Sequence, residues 1–267
     1  MSVSGTVAPV LYIPHGGGPL PLLGDAAHAG LVRFLAELGV ALPRPDAIVV
    51  VSAHWEEPVA AVTSGRRPEL LYDYFGFPEE SYSIAYPAAG NPALAGRIAE
   101  LLAAAGIDCL PDPDRPFDHG MFVPLTLMYP AADVPCVQLS LLANLDPARH
   151  IAIGRALAPL RDANVMVLGS GMSFHNLRVI WQPERGTSEA NEFTDWLDAA
   201  CCDRALDATG RERRLLGWAQ APHARFVHPR EEHLLPLHVC AGAAGFSPAR
   251  LAFSGPVIGR RVSAYLW

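Results

Sequence analysis

Short apolar runs alternate along this chain with longer stretches of helical character, and this alternation constrains the fold more than any other feature. The apolar runs are rich in β-branched residues and cover residues 7–13, 47–52, 135–141 and 165–168. Continuous apolar runs of this length are typical of strands that are buried on both faces of a sheet. The helical stretches cover residues 31–38, 92–105, 147–161 and 188–208.

Two of the helical stretches begin with a polar residue followed by proline. Asn91 precedes Pro92 and Asp146 precedes Pro147, which predicts an N-cap followed by proline at the first helical position. Strands separated by helices predict a mostly parallel central sheet flanked by helices on both faces. We therefore expect an α/β fold that forms a single domain over residues 1–267. In such a fold a ligand or metal site lies at the carboxyl ends of the strands.

Composition excludes several classes of function. The 267 residues carry a formal charge of −7, which disfavours a nucleic-acid groove because such a groove needs a basic surface. All 20 basic residues are Arg, so the chain offers no lysine for a Walker A loop or a Schiff base. The five Cys contain no C-x-x-C pair. No apolar run reaches the roughly 18 residues of a membrane span, and no cationic residue precedes Arg33, so we expect a cytoplasmic protein with no membrane partner.

Three histidines follow predicted strands directly. His15 opens a loop with Gly16, Gly17 and Gly18, His54 follows the second apolar run, and His175 follows the run at 165–168. A single histidine in such a place is more often a hydrogen-bonded surface or capping residue. Three of them at one edge of a sheet favour a metal or acid–base site instead.

The other histidines carry weaker signals. His119 precedes an apolar segment, and a loop residue held by Asp118 is an alternative to a site residue there; His233 is ambiguous by spacing. The remaining five are expected to be structural: His28, His150, His223, His228 and His238. The motifs G-x-S-x-G and H-E-x-x-H are absent, which argues against an α/β-hydrolase nucleophile and a helical zinc peptidase. An aromatic stretch at residues 66–89 is expected either to cover the sheet or to form the wall of a pocket.

Ordered segments along nearly the whole chain carry a resemblance to a known family. The chain resembles the class III extradiol ring-cleavage dioxygenases, in the DOPA 4,5-dioxygenase branch of the protocatechuate-dioxygenase catalytic-subunit superfamily. The matching segments are residues 15–17, 50–55, 72–78, 86–92, 117–120, 128–130, 137–140, 169–171, 175–178 and 232–237.

The resemblance implies a non-haem Fe(II) enzyme that opens the ring of a catechol, DOPA-like or a related substituted catechol, with O2. It implies His15, His54 and His233 as metal ligands and His175 as the acid–base group, with His175 as a fourth ligand where zinc replaces iron. It places His119 in the pocket as a second catalytic residue. The small-molecule partners are then the catechol and O2, and a homo-oligomer is left open.

Two positions compete as the third ligand, because Glu232 and His233 are adjacent. A helix is predicted to start near Leu235, since Pro236 fits only the first turn and Gly245 is a suitable C-cap. The positive end of its dipole accepts a neutral imidazole or a carboxylate, so electrostatics permits both. The resemblance favours His233, with Glu232 as a supporting or capping group.

The glycine loop departs from the family pattern. It reads Gly-Gly-Gly-Pro at Gly16 to Pro19, where the branch usually has Gly-Ser-Pro, so the side that faces the substrate is expected to differ. Two alternative functions stay open at this point. One is a metal-binding protein of the same fold without catalysis, and the other is a zinc hydrolase that uses the same histidines.

Overall fold

The strands of the computed structural model, which describes residues 7–182 and 185–267, join in one sheet. Eight strands are found in these residues: β1 Val10–Pro14, β2 Ala47–Glu57, β3 Ala60–Thr63, β4 Cys109–Asp112, β5 Cys136–Leu142, β6 Val165–Gly171, β7 Arg250–Val257 and β8 Arg260–Leu266. Their spatial order is β4-β3-β5-β2-β6-β1-β8-β7. The four central strands, β5, β2, β6 and β1, run parallel, so their carboxyl ends meet at one edge.

Helices cover both faces of this sheet. They are α1 Ala29–Ala41, α2 Pro92–Ala104, α3 His119–Met128, α4 Pro147–Leu157, α5 Thr187–Cys202, α6 Ala208–Leu216, α7 Ala224–Val227 and α8 Leu235–Ala243. The predicted α/β fold with a mostly parallel central sheet is confirmed. None of the helices in the described ranges combines the length and the apolar character that a membrane crossing needs.

Two consecutive residues of β6 show how the layers are fixed. Successive residues of a strand face opposite sides of a sheet. Gly169 faces α8, and a Cβ atom there would lie 2.7 Å from the carbonyl oxygen of Pro236. Ser170 faces the other side, where its hydroxyl donates a hydrogen bond to the carbonyl oxygen of Gly120 in α3. α8 and α3 are therefore seated on opposite faces of the same strand.

The predicted bounds of the main elements need several corrections. The first strand is Val10–Pro14 rather than residues 7–13, and the second extends from the predicted end at residue 52 to Glu57. The helix predicted at 147–161 ends at Leu157 and continues as a 3-10 helix, Ala158–Ala163, which holds a proline in its first turn. Proline lacks the N–H that an α-helix needs at an interior position.

The long helix predicted at 188–208 is wrong. α5 ends at Cys202, and α6 begins at Ala208 after a break. The Asp207 side chain accepts a hydrogen bond from the backbone N–H of Gly210 at 2.7 Å, so it caps a new helix and does not continue the previous one.

Seven strands and helices are absent from the sequence-based expectations: β3, β4, β7, β8, α3, α6 and α7. β3 and β4 have only four residues each, and β7 contains Gly255 and Pro256. α3 is buried on all sides and contains Pro124, so it shows no amphipathic period. His119 begins this helix, so the alternative of a loop residue is wrong.

Candidate active site

The carboxyl ends of β1, β2 and β6 converge on one cavity. His15 directly follows β1, and its backbone N–H donates to the carbonyl oxygen of Gly171 at the end of β6, at 3.2 Å. His54 lies in a part of β2 where the register against β5 shifts between Val51 and Glu56. Such irregularities re-aim side chains near active sites. The parallel topology thus brings two histidines together that are 39 residues apart in sequence.

His233 reaches the same place from the segment that precedes α8. Its carbonyl oxygen accepts hydrogen bonds from the backbone N–H of Met172 at 3.1 Å and from the Tyr12 hydroxyl at 2.9 Å. A Cβ atom at Gly171 would lie 2.1 Å from the same carbonyl oxygen, so only glycine permits this close approach. The backbone of Gly171 and Met172 and the Tyr12 hydroxyl therefore fix the position of the His233 backbone.

The ligating atoms of His15, His54 and His233 all lie within 4.8 Å of one another. The Nε2 atoms of His15 and His54 are 3.2 Å apart. The Nε2 atom of His233 is buried and has no hydrogen-bond partner among the described residues. A buried polar atom without a partner is costly unless something absent from the protein chain satisfies it.

Burial keeps these three imidazoles neutral. The pKa of each lies well below the ordinary value of 6.5, mainly because burial disfavours the charged form, and the neighbouring histidines lower it further. Neutral imidazole is the form that coordinates a metal ion. The cluster is therefore set up to bind a cation at neutral pH.

One carboxylate oxygen serves two imidazoles on the His233 side of the cavity. Oε1 of Glu232 lies 2.9 Å from Nδ1 of His233 and 3.0 Å from Nδ1 of His175. A carboxylate accepts hydrogen bonds, so each Nδ1 is assigned as the donor and each Nε2 keeps its lone pair. Glu232 therefore orients both rings, as outer carboxylates commonly do for metal-bound histidine.

Asp73 lies on the opposite side of the cavity and faces two histidines there, as Glu232 does on the His233 side. Its Oδ1 atom accepts from Nδ1 of His119 at 2.8 Å and from the His119 backbone N–H at 3.0 Å. Its Oδ2 atom lies 3.6 Å from Nδ1 of His54. Burial by itself would raise the pKa of Asp73, but its hydrogen bond to His119 and the charge interactions with both histidines lower the pKa. The same tautomer argument makes Nε2 the acceptor atom of the neutral His119 ring.

A family comparison identifies the family of the chain. The family described as the catalytic LigB subunit of aromatic ring-opening dioxygenase matches residues 24–255. The chain belongs to this LigB family. The resemblance found in the sequence is thereby confirmed, and so is the assignment of the chain as an extradiol ring-opening dioxygenase.

Individual relatives agree with the family. The chain is 38% identical to the dioxygenase tasH of Hapsidospora irregularis, over 98% of this chain and 86% of that protein. It is 36% identical to a 4,5-DOPA dioxygenase extradiol of Escherichia coli strain K12, over 96% of this chain and 93% of that protein. The crystal structure of an uncharacterized protein from Escherichia coli K12 superposes with a TM-score of 0.77 at 33% identity, covering 97% of this chain and 99% of the other.

The LigB-family fold brings all five predicted site residues to one cavity of about 170 Å³. They are His15, His54, His119, His175 and His233. Two aromatic residues of the 66–89 stretch, Tyr74 and Phe77, line the same cavity, so this stretch forms part of a pocket wall. The remaining five histidines do not line this cavity.

His28 has a supporting role that the sequence did not indicate. Its Nε2 atom accepts a hydrogen bond from the backbone N–H of Gly17 at 3.0 Å, and its Nδ1 atom lies 2.7 Å from Asp25. Gly16 and Gly18 on either side have φ values of 86° and 55°, which glycine adopts without strain. His28 thus holds the glycine loop from behind the cavity.

The sequence-based reasoning missed Asp73 and misplaced the role of Asp118. Asp118 does not hold the His119 side chain; its Oδ1 atom accepts from the Ser52 hydroxyl at 2.7 Å. Ser52 Oγ in turn accepts from the backbone N–H of His54 at 3.2 Å. An acidic residue within an aromatic stretch was the available signal for Asp73, but its partner His119 is 46 residues away.

Proposed function

We propose that this LigB-family protein is a non-haem Fe(II)-dependent extradiol dioxygenase that opens the ring of a substituted catechol, DOPA-like or related, with O2. The observation that carries the proposal is the buried Nε2 atom of His233, which faces His15 and His54 and lacks a partner among the described residues. The names of relatives from Beta vulgaris and Escherichia coli, each a 4,5-DOPA dioxygenase extradiol, support the choice of a catechol.

The three histidines fit a metal ion. Two imidazole nitrogens bound to one ion at about 2.1 Å lie roughly 3.0–3.4 Å apart at angles of ~90–110°. The distance of 3.2 Å between the Nε2 atoms of His15 and His54 falls in this range. His15, His54 and His233 would hold the ion, and ligands on one side only leave room for a substrate.

Iron fits the reaction better than zinc. Imidazole ligands suit both metals, but zinc has no redox chemistry. A bound ferrous ion would supply the redox-active centre at which a catechol and O2 can react. Zinc is expected as a replacement in purified protein.

His175 is proposed as the acid–base group. Its Nδ1–H donates to Glu232, so its Nε2 atom is available to take a proton from a catechol hydroxyl. The Glu232 carboxylate stabilises the imidazolium that results, and His175 later returns the proton. A fourth-ligand role for His175 is the alternative, and loss of the metal on its removal would identify it.

His119 is proposed to contact the substrate. With Nδ1 donating to Asp73, its Nε2 atom can accept a hydrogen bond from the second catechol hydroxyl. Tyr74 packs edge-on against His119 with ring centroids 5.7 Å apart and donates its own hydroxyl to the carbonyl oxygen of Ser81. The Tyr74 ring therefore gives the cavity an apolar side that limits water beside His119.

Oxygen uptake tests this function directly. The metal-free protein is loaded with Fe(II) under anaerobic conditions, mixed with a catechol and exposed to O2, while ring-opened product is followed by absorbance. We expect one O2 consumed for each catechol opened, and no turnover after loading with Zn(II). Metal binding without O2 uptake would indicate a non-catalytic metal-binding protein, and hydrolysis independent of O2 would indicate a zinc hydrolase.

We propose a cytoplasmic location, as expected from the sequence. The net charge of −7 supports small molecules and not nucleic acids as the partners.

A further inference from the structure

Apart from its histidines and the backbone of Gly16, Gly17 and Gly18, the cavity is walled mainly by apolar and aromatic side chains. Met172 and Ile180 lie deep, with 2% and 4% of their surface exposed, whereas Leu177 and Trp181 stand at the mouth with 67% and 59% exposed. Phe77 and Ile258 complete the wall. A catechol whose hydroxyls face the buried histidines must direct its substituent along these side chains to reach solvent.

The wall offers no cation to a charged substituent. Among the described residues that line the cavity there is no Arg, and the chain has no Lys. The two nearby carboxylates, Asp73 and Glu232, are occupied by hydrogen bonds to histidines. A substrate carboxylate would lose water here without gaining a partner, which is unfavourable.

Arginines occur close by, but in a different depression. Arg178 and Arg230 lie in a depression that shares His175 and Leu177 with the cavity and is lined further by Glu232. Both guanidinium NH groups of Arg230 are paired with Glu56. If the enzyme preferred a catechol with an acidic substituent, that group would have to bind in this depression.

One residue of the wall is held in a conformation that its type disfavours. Ile258 and Gly259 form the two-residue turn between β7 and β8, with φ values of 50° and 70°. Such turns favour Asn-Gly, and a β-branched residue with positive φ is an outlier. Ile258 is only 8% exposed. A Cβ atom added at Gly17 would lie 2.8 Å from Cδ1 of Ile258, so the Ile258 side chain packs closely against the Gly17 backbone. Disfavoured backbone of this kind concentrates at functional sites.

We infer that the enzyme selects catechols whose substituent is uncharged and apolar, and that Ile258 is a specificity-determining residue in the wall that receives it. This inference rests on the proposed ring opening of catechols and narrows its substrate class. It places DOPA, which carries both a carboxylate and an ammonium group, among the poorer substrates.

Three catechols of matched length test the inference: 4-propylcatechol, 3-(3,4-dihydroxyphenyl)propanoate and DOPA. Turnover is measured as kcat/KM with the Fe(II)-loaded protein. Binding is measured separately by calorimetry with the Zn(II)-loaded protein, which does not turn over. We expect 4-propylcatechol to exceed both charged catechols by at least about tenfold in kcat/KM and in affinity, because only the charged groups lose hydration without compensation.

Two variants of the cavity wall and one control variant test which residues determine the preference for an apolar substituent. Ile258→Asn should reduce the ratio between 4-propylcatechol and the propanoate to below about threefold, whereas Leu251→Asn, in the same hairpin but outside the cavity lining, should leave the ratio unchanged. Trp181→Gln tests the same wall at its exposed mouth, so the inference does not depend on the folding of Ile258→Asn. An unchanged ratio in both wall variants would overturn it.

The outcome separates the inference from the proposed function. Cleavage of DOPA or the propanoate in preference to 4-propylcatechol would refute the apolar selection and leave the dioxygenase function intact. If Arg178→Gln then removed that preference, the acidic subsite would lie in the neighbouring depression. Failure to bind or open any of the three catechols would contradict the proposed function itself.

Discussion

His175 and His233 stack with their ring centroids 3.4 Å apart, and their planes differ by only 18°. Both direct Nδ1 to the same oxygen of Glu232. Two residues proposed for different tasks, one for proton transfer and one for metal binding, therefore share a single point of attachment. Separate substitutions at these positions can divide the two tasks experimentally.

Removal of His15 or His54 should abolish metal binding. Loss of partners that merely orient a ligand costs about 10–100-fold in metal affinity, and loss of a ligand itself should cost more. His15→Ala and His54→Ala are each loaded anaerobically, and bound iron is measured after gel filtration. His223→Ala, which lies outside the cavity, is the control. A full equivalent of Fe(II) retained by either ligand variant would contradict the assignment.

His175→Ala should retain the metal and lose turnover. General acid–base groups contribute about 10²–10⁴-fold to rate, and a fall in kcat of that size with unchanged iron content is expected. Iron content and kcat are measured on the same preparation. Iron lost together with activity would instead make His175 the fourth ligand.

The third ligand is decided by a pair of adjacent substitutions. His233→Ala should remove both iron and activity, because Nε2 of His233 is the buried atom that faces the other two ligands. Glu232→Gln should keep the metal, although turnover falls because the hydrogen bonds that orient His175 and His233 are weakened. The opposite pattern of iron content would place a two-histidine, one-carboxylate site here.

The space around Gly169 and Gly96 predicts opposite effects on stability when each is replaced by alanine. Gly169→Ala places a Cβ atom 2.7 Å from the Pro236 carbonyl oxygen and should lower the free energy of unfolding by about 1–3 kcal/mol. Gly96→Ala, on the exposed side of α2 with open space around it, should raise it by roughly 0.5–1 kcal/mol. Urea denaturation of both variants measures these changes, and a stabilised Gly169→Ala would show that the helix does not rest on the strand.

Acid should destabilise the protein through His150, which lies away from the cavity. Burial lowers the pKa of His150 to about 4, while its Nε2 atom accepts from the backbone N–H of Leu142. Between pH 6.5 and 4 the unfolded chain binds a proton that the folded protein excludes, so stability falls as the pH falls through this window, by roughly 3 kcal/mol from this residue. His150→Gln should flatten the measured pH dependence of unfolding in this range; an unaltered slope would contradict this explanation.

The parts of the fold that the sequence could predict are those with a local signal. The central parallel strands are continuous apolar runs, and proline at the first helical position marks α2 and α4. In the hairpin of β7 and β8, the first strand contains Ser254, Gly255 and Pro256, which interrupt any alternation of apolar and polar residues. α3 is apolar all round, so no periodicity distinguishes it.

The candidate site also has residues that a local sequence signal predicts and contacts that no such signal predicts. His15 and His54 were predictable because parallel strands bring their carboxyl ends together. The attachment of His119 to Asp73 and the shared use of Glu232 by two rings depend on chain segments that meet only in the folded protein, and no local pattern encodes them.

The close approach of His233 to Gly171 has a consequence for how such a site can change over generations. The height of this imidazole above the sheet is set by main-chain contact, through the His233 carbonyl and the end of β6. Substitutions that alter side-chain volumes elsewhere in the interior leave that contact in place. The proposed metal site is thereby less sensitive to substitutions in the hydrophobic interior, whereas the apolar side chains of the pocket wall can change without altering that contact.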